Sequence, residues 1–186
     1  MIGYAFCGSF CTFSRSIEVM RSLVNKGYDL LPIMSFNAVS TDTRFGKADD
    51  FVREITEICG KAPIVEIKDA EPIGPKVVLD AMIISPCTGN TLAKLALGIT
   101  DTPVTMAAKA HMRSSRPLVI ALASNDAMSA NLKNIATLLE KKNVWFVPML
   151  QDDIQKKPHS LVADFSAVCD SLDAAFEGKQ LRPLFM

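Results

Sequence analysis

Apolar residues along this chain follow two patterns. Short, nearly unbroken apolar runs at residues 2–7, 30–35, 64–67, 78–84, 118–122 and 144–147 read as strands buried on both faces. Between them, apolar residues recur at helical spacing. Ile17, Met20 and Val24 mark one helix face, and Phe51, Val52, Ile55 and Ile58 mark the next. Leu92, Leu95, Ala96 and Ile99 mark a third, Met106, Ala107 and Ala110 a fourth, and Leu132, Ile135 and Leu139 a fifth. Leu161, Phe165, Val168, Leu172 and Phe176 predict a long C-terminal helix. Strands alternating with helices predict an α/β fold, with a parallel sheet joined by right-handed crossovers.

Punctuation residues set the boundaries. Ser14 is a candidate N-cap for the first helix and Gly27 fits its end. Gly60 closes the second, and Pro103 suits a helix's first turn. Residues 36–46 read as a polar loop containing Thr41-Asp42-Thr43-Arg44, residues 71–75 as irregular, and residues 151–158 as a charged loop. No repeat or long linker interrupts the pattern, so residues 1–186 are expected to form a single domain.

Composition narrows the classes. Nearly half the chain is apolar and 22% is charged, as in globular proteins. Twenty Lys and Arg balance twenty Asp and Glu, which argues against a nucleic-acid surface. The five cysteines include no Cys-x-x-Cys pair, so neither a disulfide framework nor a metal site is expected, and a reducing cytoplasmic setting is. No run approaches the roughly 20 apolar residues a membrane helix needs, and no secretory leader pattern opens the chain. Neither histidine, His111 or His159, has a partner at metal or catalytic spacing.

The chemistry gathers at the strand ends. Ser85-Pro86-Cys87-Thr88-Gly89-Asn90-Thr91 lies between a strand and a helix, where open α/β sheets place ligands. Free N–H groups at a helix start favour anions or acceptor-rich groups. Gly8-Ser9 follows the first strand in the same way. Each turn has a plainer reading as well, Gly8-Ser9 as an ordinary strand-to-helix turn and Thr88-Gly89-Asn90 as a helix cap. The chain lacks Gly-x-Gly-x-x-Gly, a phosphate loop of the Walker type, and an acidic residue after the second strand. Dinucleotide binding in the usual mode is therefore disfavoured.

These segments resemble the superfamily of homo-oligomeric flavin-containing cysteine decarboxylases, whose Pro-Ala-Ser-Ala-Asn-Thr turn corresponds to Pro86-Cys87-Thr88-Gly89-Asn90-Thr91. Within it, the chain resembles the family of dipicolinate synthase B subunits. The resemblance runs through Ser35-Phe36-Asn37, residues 40–46, residues 70–76, residues 103–110, Ser124-Asn125-Asp126-Ala127 and residues 151–158. It implies a Rossmann-like, three-layer flavoprotein fold, FMN as cofactor, and a homo-oligomer built from trimers. It also implies work with the dipicolinate synthase A subunit, a nicotinamide-binding partner. Together they would oxidise dihydrodipicolinate to pyridine-2,6-dicarboxylate in the mother cell of a sporulating bacterium.

By the same resemblance, Gly8 and Ser9 lie near the FMN phosphate and Ser35 and Phe36 beside the ribityl chain or ring. Pro86, Cys87, Thr88, Gly89, Asn90 and Thr91 surround the flavin, with Ser124 and Asn125 on the same edge. Asn90 and Asp126 are the catalytic candidates, with Asp126 or Asp101 as acceptor of the ring proton, although Asp101 also suits the turn before Pro103 and Asp126 an N-cap. Arg44 is the candidate for the substrate's carboxylates, ahead of Lys76 and Lys109. Met128 and Asn131 approximate the superfamily's substrate clamp. Residues 65–76 lack the decarboxylases' histidine, so decarboxylation of peptidyl cysteine ranks below oxidation. A non-catalytic role, supporting hydride transfer to nicotinamide on the partner, is the other reading.

Overall fold

The computed structural model describes residues 1–186. Seven strands form one sheet: β1 (Ile2–Phe6), β2 (Leu30–Met34), β3 (Ala81–Cys87), β4 (Leu118–Ser124), β5 (Val144–Phe146), β6 (Met149–Leu150) and β7 (Leu161–Ala163). The order is β2-β1-β3-β4-β7-β6, with β5 also paired to β4. The first five strands pair in parallel, as the apolar runs predict.

Alternate residues of each central strand feed opposite cores. Tyr4 and Phe6 pack on one side of β1 with Ala81, Ile83, Val119 and Ala121, while Ala5 and Cys7 pack on the other with Met82, Ile84, Ile120 and Leu122. Helices cover both faces: α1 (Phe13–Asn25), α3 (Ala48–Cys59) and α8 (Val168–Phe176) one side, α5 (Gly89–Leu97), α6 (Pro103–Met112) and α7 (Leu132–Leu139) the other. Burial of both sheet faces supplies the main driving force. No helix is long and apolar enough to cross a membrane.

Several expectations need correction. Ser14 sits inside α1, because a 3-10 turn at Phe10–Thr12 leads into the helix and Thr12 takes the cap position. The polar loop after β2 begins with a short helix, α2 (Phe36–Ser40), started by the Ser35 hydroxyl accepting from the Ala38 N–H. The run at 64–67 makes only one bridge, Ile33 to Ile64, and its end turns into α4 (Ile67–Ala70). Residues 85–87 continue β3, so the turn starts at Thr88.

The largest change lies near the C-terminus. Leu161 belongs to β7, not to a helix, because β7 pairs antiparallel with the far end of β4 at Ala123 and Ser124. The sheet is therefore mixed. This pairing brings the loop between β6 and β7 beside the ends of β1 and β4.

A buried hydroxyl chain ties three elements together beneath those ends. The Tyr4 hydroxyl donates to the Ser16 carbonyl at 2.9 Å, and the Ser16 hydroxyl donates to the Ser85 carbonyl at 2.5 Å. The Ser85 hydroxyl, 3.0 Å from Ser16 Oγ, completes the chain. Burial pushes the Tyr4 phenol far above its usual range, partly offset by its bonds to Ser16 and Ser85. Tyr4→Phe takes the phenol away from both the Ser16 carbonyl, which keeps only its helical bond, and the Ser16 hydroxyl, in a dry site. It is expected to cost about 1–3 kcal/mol, read as a lower urea midpoint at unchanged slope.

Candidate functional site

The loops after β1, β2, β3 and β4 open on one edge of the sheet and form two adjoining cavities. One, of about 430 Å³, is lined by Gly8, Ser35, Phe36, Thr88, Asn90 and Thr91 from the expected set, together with Asn37, Lys94, Asp101 and Thr102. The other, of about 360 Å³, is lined by Gly8, Ser9, Thr88, Gly89, Asn90, Ser124, Asn125 and Asp126, joined by Cys11, Arg15, Asp152 and Lys157 among others. Gly8, Thr88 and Asn90 border both, so the two form one cleft. Each falls in the ordinary volume range of ligand pockets.

Local chemistry explains why these loops hold still. Thr88 caps α5: its hydroxyl accepts from the Thr91 N–H at 3.2 Å and its carbonyl accepts from the Leu92 N–H. The N–H groups of Gly8, Gly89 and Asn90 take part in none of the protein's backbone or side-chain hydrogen bonds and remain free at the cleft. The Thr91 hydroxyl reaches back to Cys7 Sγ at 3.3 Å, joining α5 to the end of β1. Burial pushes the Cys7 thiol up to about 11 and Cys87 well above its usual value, so both are packing groups rather than nucleophiles.

Asp126 is the hub of the second cavity. Its Oδ1 accepts from the Ser124 hydroxyl and, at 2.9 Å, from the Asn131 amide, while Oδ2 has no protein donor. Asn131 is held in turn by the Asn134 amide at 2.8 Å. The Ser124 and Asn131 bonds hold the Asp126 carboxyl below the usual carboxylate range. On the opposite rim, Lys94 Nζ bonds both oxygens of Asp101, at 2.8 and 2.9 Å, which keeps that carboxyl low as well.

Five expected contacts move. Pro86 and Cys87 are fully buried in β3, beneath the cavity wall. Asn131 is buried and acts on Asp126 rather than lining the cleft. Met128 packs against the core, its N–H donating to the His159 carbonyl. Arg44 is exposed, its guanidinium 4.8 Å from the Phe45 ring centroid, and lines neither cavity. His111 is a buried structural group bonded to the Pro117 carbonyl.

Sequence reasoning missed Cys11, Arg15, Asp152 and Lys157. Residues 151–158 reach the cleft only through the antiparallel β7 pairing, which no local periodicity announces. Arg15 carried a faint signal, a cation in the first turn of a helix with no acidic neighbour there.

The cleft's donors fit a flavin mononucleotide. A phosphate and a ribityl chain need hydroxyl and N–H donors, and Ser9, Ser35 and the free N–H groups supply them. Phe36, 42% exposed at the mouth, offers an apolar face for a ring.

Gly89 is where the packing tolerates least. A Cβ there would sit 2.5 Å from Ser124 Oγ, 2.6 Å from Asn131 Nδ2 and 2.8 Å from Asp126 Oδ1. Those atoms are bonded to one another, so none can yield alone. Gly89→Ala is expected to cost about 1–3 kcal/mol in urea melts. A second expectation follows from the depressed Asp126 carboxyl. Its contribution to stability is complete above the free Asp value, about 3.9, and is lost as pH falls through the lower folded value. Asp126→Asn should therefore destabilise at pH 7, with the gap from the parent narrowing below about pH 4 in the same assay.

The Flavoprotein family matches residues 1–177. The chain is 42% identical to the B subunit of dipicolinate synthase from Bacillus subtilis, over all of this chain and 92% of that protein. The crystal structure of the dipicolinate synthase B subunit from Bacillus halodurans superposes with a TM-score of 0.91 at 38% identity, covering 100% of this chain and 95% of that one. The FMN-dependent cysteine decarboxylase SpaF superposes at 0.69 with 25% identity, over 94% of this chain and 95% of SpaF. With its mixed α/β sheet, its cleft at the strand ends and these likenesses along its whole length, the chain belongs to the Flavoprotein family.

Proposed function

We propose that this protein is the FMN-binding subunit of a dipicolinate synthase. It would work with the nicotinamide-binding partner of that synthase to oxidise dihydrodipicolinate to pyridine-2,6-dicarboxylate in the cytoplasm of a sporulating cell. The observation that carries the reading is the end-to-end likeness, at 42% identity, to the B subunit of the Bacillus subtilis synthase. The cleft chemistry supports it.

In this reading Ser9, Ser35 and the free N–H groups of Gly8 and Asn90 hold the phosphate and ribityl chain, with Phe36 beside the ring. FMN, when bound, supplies a hydride acceptor. The protein's own part is to orient the dihydropyridine and receive the ring proton. Asp126 is the acceptor through Oδ2, the oxygen left free by its two bonds. Its depressed pKa makes it a weak base that stays ionised across the working range, and aromatisation of the ring supplies the driving force. Asn90 borders both cavities and so meets cofactor and substrate together.

Association completes the site. Leu97 is 72% exposed and Ile99 is also exposed, on the segment between Lys94 and Asp101 at the rim of the first cavity. An exposed apolar rim beside an open polar cleft favours coverage by another copy in a trimer-based homo-oligomer, or by the nicotinamide-binding partner.

The open, mostly polar second cavity also favours the alternative reading. There the protein holds substrate without redox chemistry, and its partner passes the hydride to nicotinamide. An absorbance titration with FMN, with and without that partner, separates the two. Saturable binding and bleaching of the flavin band by dihydrodipicolinate are expected. Asn90→Ala should lower turnover roughly 100-fold with assembly intact. Unbleached flavin and an indifferent Asn90 variant would put the hydride on the partner alone.

A further inference from the structure

Arg15 is a cation with no ion-pair partner in the fold. It is the third residue of α1, where the positive end of the helix dipole disfavours it, and no acidic residue occupies that first turn. Its guanidinium carbon lies 5.1 Å from the ring centroid of Phe165, which is itself buried in the core and therefore fixed. A cation held over an aromatic ring in this way still has N–H donors to offer a planar anion.

Arg15 borders two cavities, and their charges decide which one would receive an anion. The cavity of about 410 Å³ over Phe165 holds three carboxylates, Glu18, Asp152 and Asp164, with Arg15 as its one cation. An anion is unwelcome there. The cleft-side cavity holds Arg15 and Lys157 against Asp126 and Asp152. Lys157 already answers Asp152 at 2.6 Å, and Asp126 is stabilised by neutral donors. Arg15 is thus the charge on the cleft side with donors to spend and no acceptor.

We propose that Arg15, held over the Phe165 ring, anchors a carboxylate of the substrate, so that the substrate's ring occupies the cavity that Asp126 also lines. This rests on the dihydrodipicolinate reading and gives the carboxylate contact to Arg15 rather than Arg44. A bidentate fork matches a carboxylate where an ammonium cannot, so Arg15→Lys should restore binding only in part.

The test is isothermal titration of the full chain, in the presence of FMN, with pyridine-2,6-dicarboxylate and with unsubstituted pyridine as control. The parent should bind the diacid and not pyridine. Arg15→Ala should weaken diacid binding at least tenfold, and Arg15→Lys should fall between. Both variants should keep the parent's urea midpoint and its FMN affinity. In assays with the nicotinamide-binding partner, KM for dihydrodipicolinate should rise more than kcat falls. Three outcomes would overturn the anchor: equal diacid affinity in all three proteins, no diacid binding by the parent, or loss of FMN rather than diacid affinity in Arg15→Ala. The first of these with FMN binding and turnover intact sinks the anchor and leaves the proposed oxidation standing. Loss of diacid binding in Arg15→Ala, where the parent neither takes FMN nor supports turnover, keeps the anchor and sinks the oxidation.

Discussion

The hydroxyl chain from Tyr4 through Ser16 to Ser85 is the constraint on which the cleft depends. It runs where β1, α1 and β3 meet, in a layer otherwise packed with apolar side chains. In that setting a hydrogen bond is strengthened by its surroundings, and an unmade one is expensive. The geometry is therefore close to all-or-none. The loop after β1 carries Gly8 and Ser9, the turn after β3 carries Asn90, and Arg15 is the neighbour of Ser16 on α1. One buried chain thereby fixes the relative positions of cofactor candidates, a catalytic candidate and the carboxylate anchor. The Cys7 N–H bond to the Pro86 carbonyl and the Thr91 bond to Cys7 extend the same tie into α5.

Asp126 organises the other wall by a different principle. Its partners are neutral, so the carboxylate stays ionised without losing its charge to an ion pair. Gly89 completes the device, since only the absence of a side chain lets α5 begin against Ser124, Asn131 and Asp126. Rigid positioning and an uncompensated oxygen at Oδ2 come from one arrangement.

Much of this was legible in the sequence, for reasons that can be named. β1 to β5 and the longer helices follow hydrophobic period, which reports burial directly. Failures came where a long-range contact overrides that signal. The spacing of Leu161, Phe165, Val168 and Leu172 suits a helix, yet pairing with Ala123 and Ser124 draws Leu161 into the sheet. Pro86 suggests the end of a strand, but its carbonyl still serves β1 through Cys7. α2 spans only five residues, too short for periodicity to mark, and is set by the Ser35 cap.

The site shows the same division. Residues on strand-end loops were found from sequence because parallel α/β topology sends those loops to one edge. Arg44 and Arg15 could not be ranked that way, since loop polarity says nothing about which cation lines a cavity without an ion-pair partner. Their difference is electrostatic: Arg44 lies exposed against its own neighbour Phe45, whereas Arg15 stands at the border of two cavities of unlike charge. β7 creates that border by carrying Asp152 and Lys157 to the cleft. The antiparallel addition to an otherwise parallel sheet is thus what turns a generic cofactor edge into a cavity with a preferred place for a carboxylate.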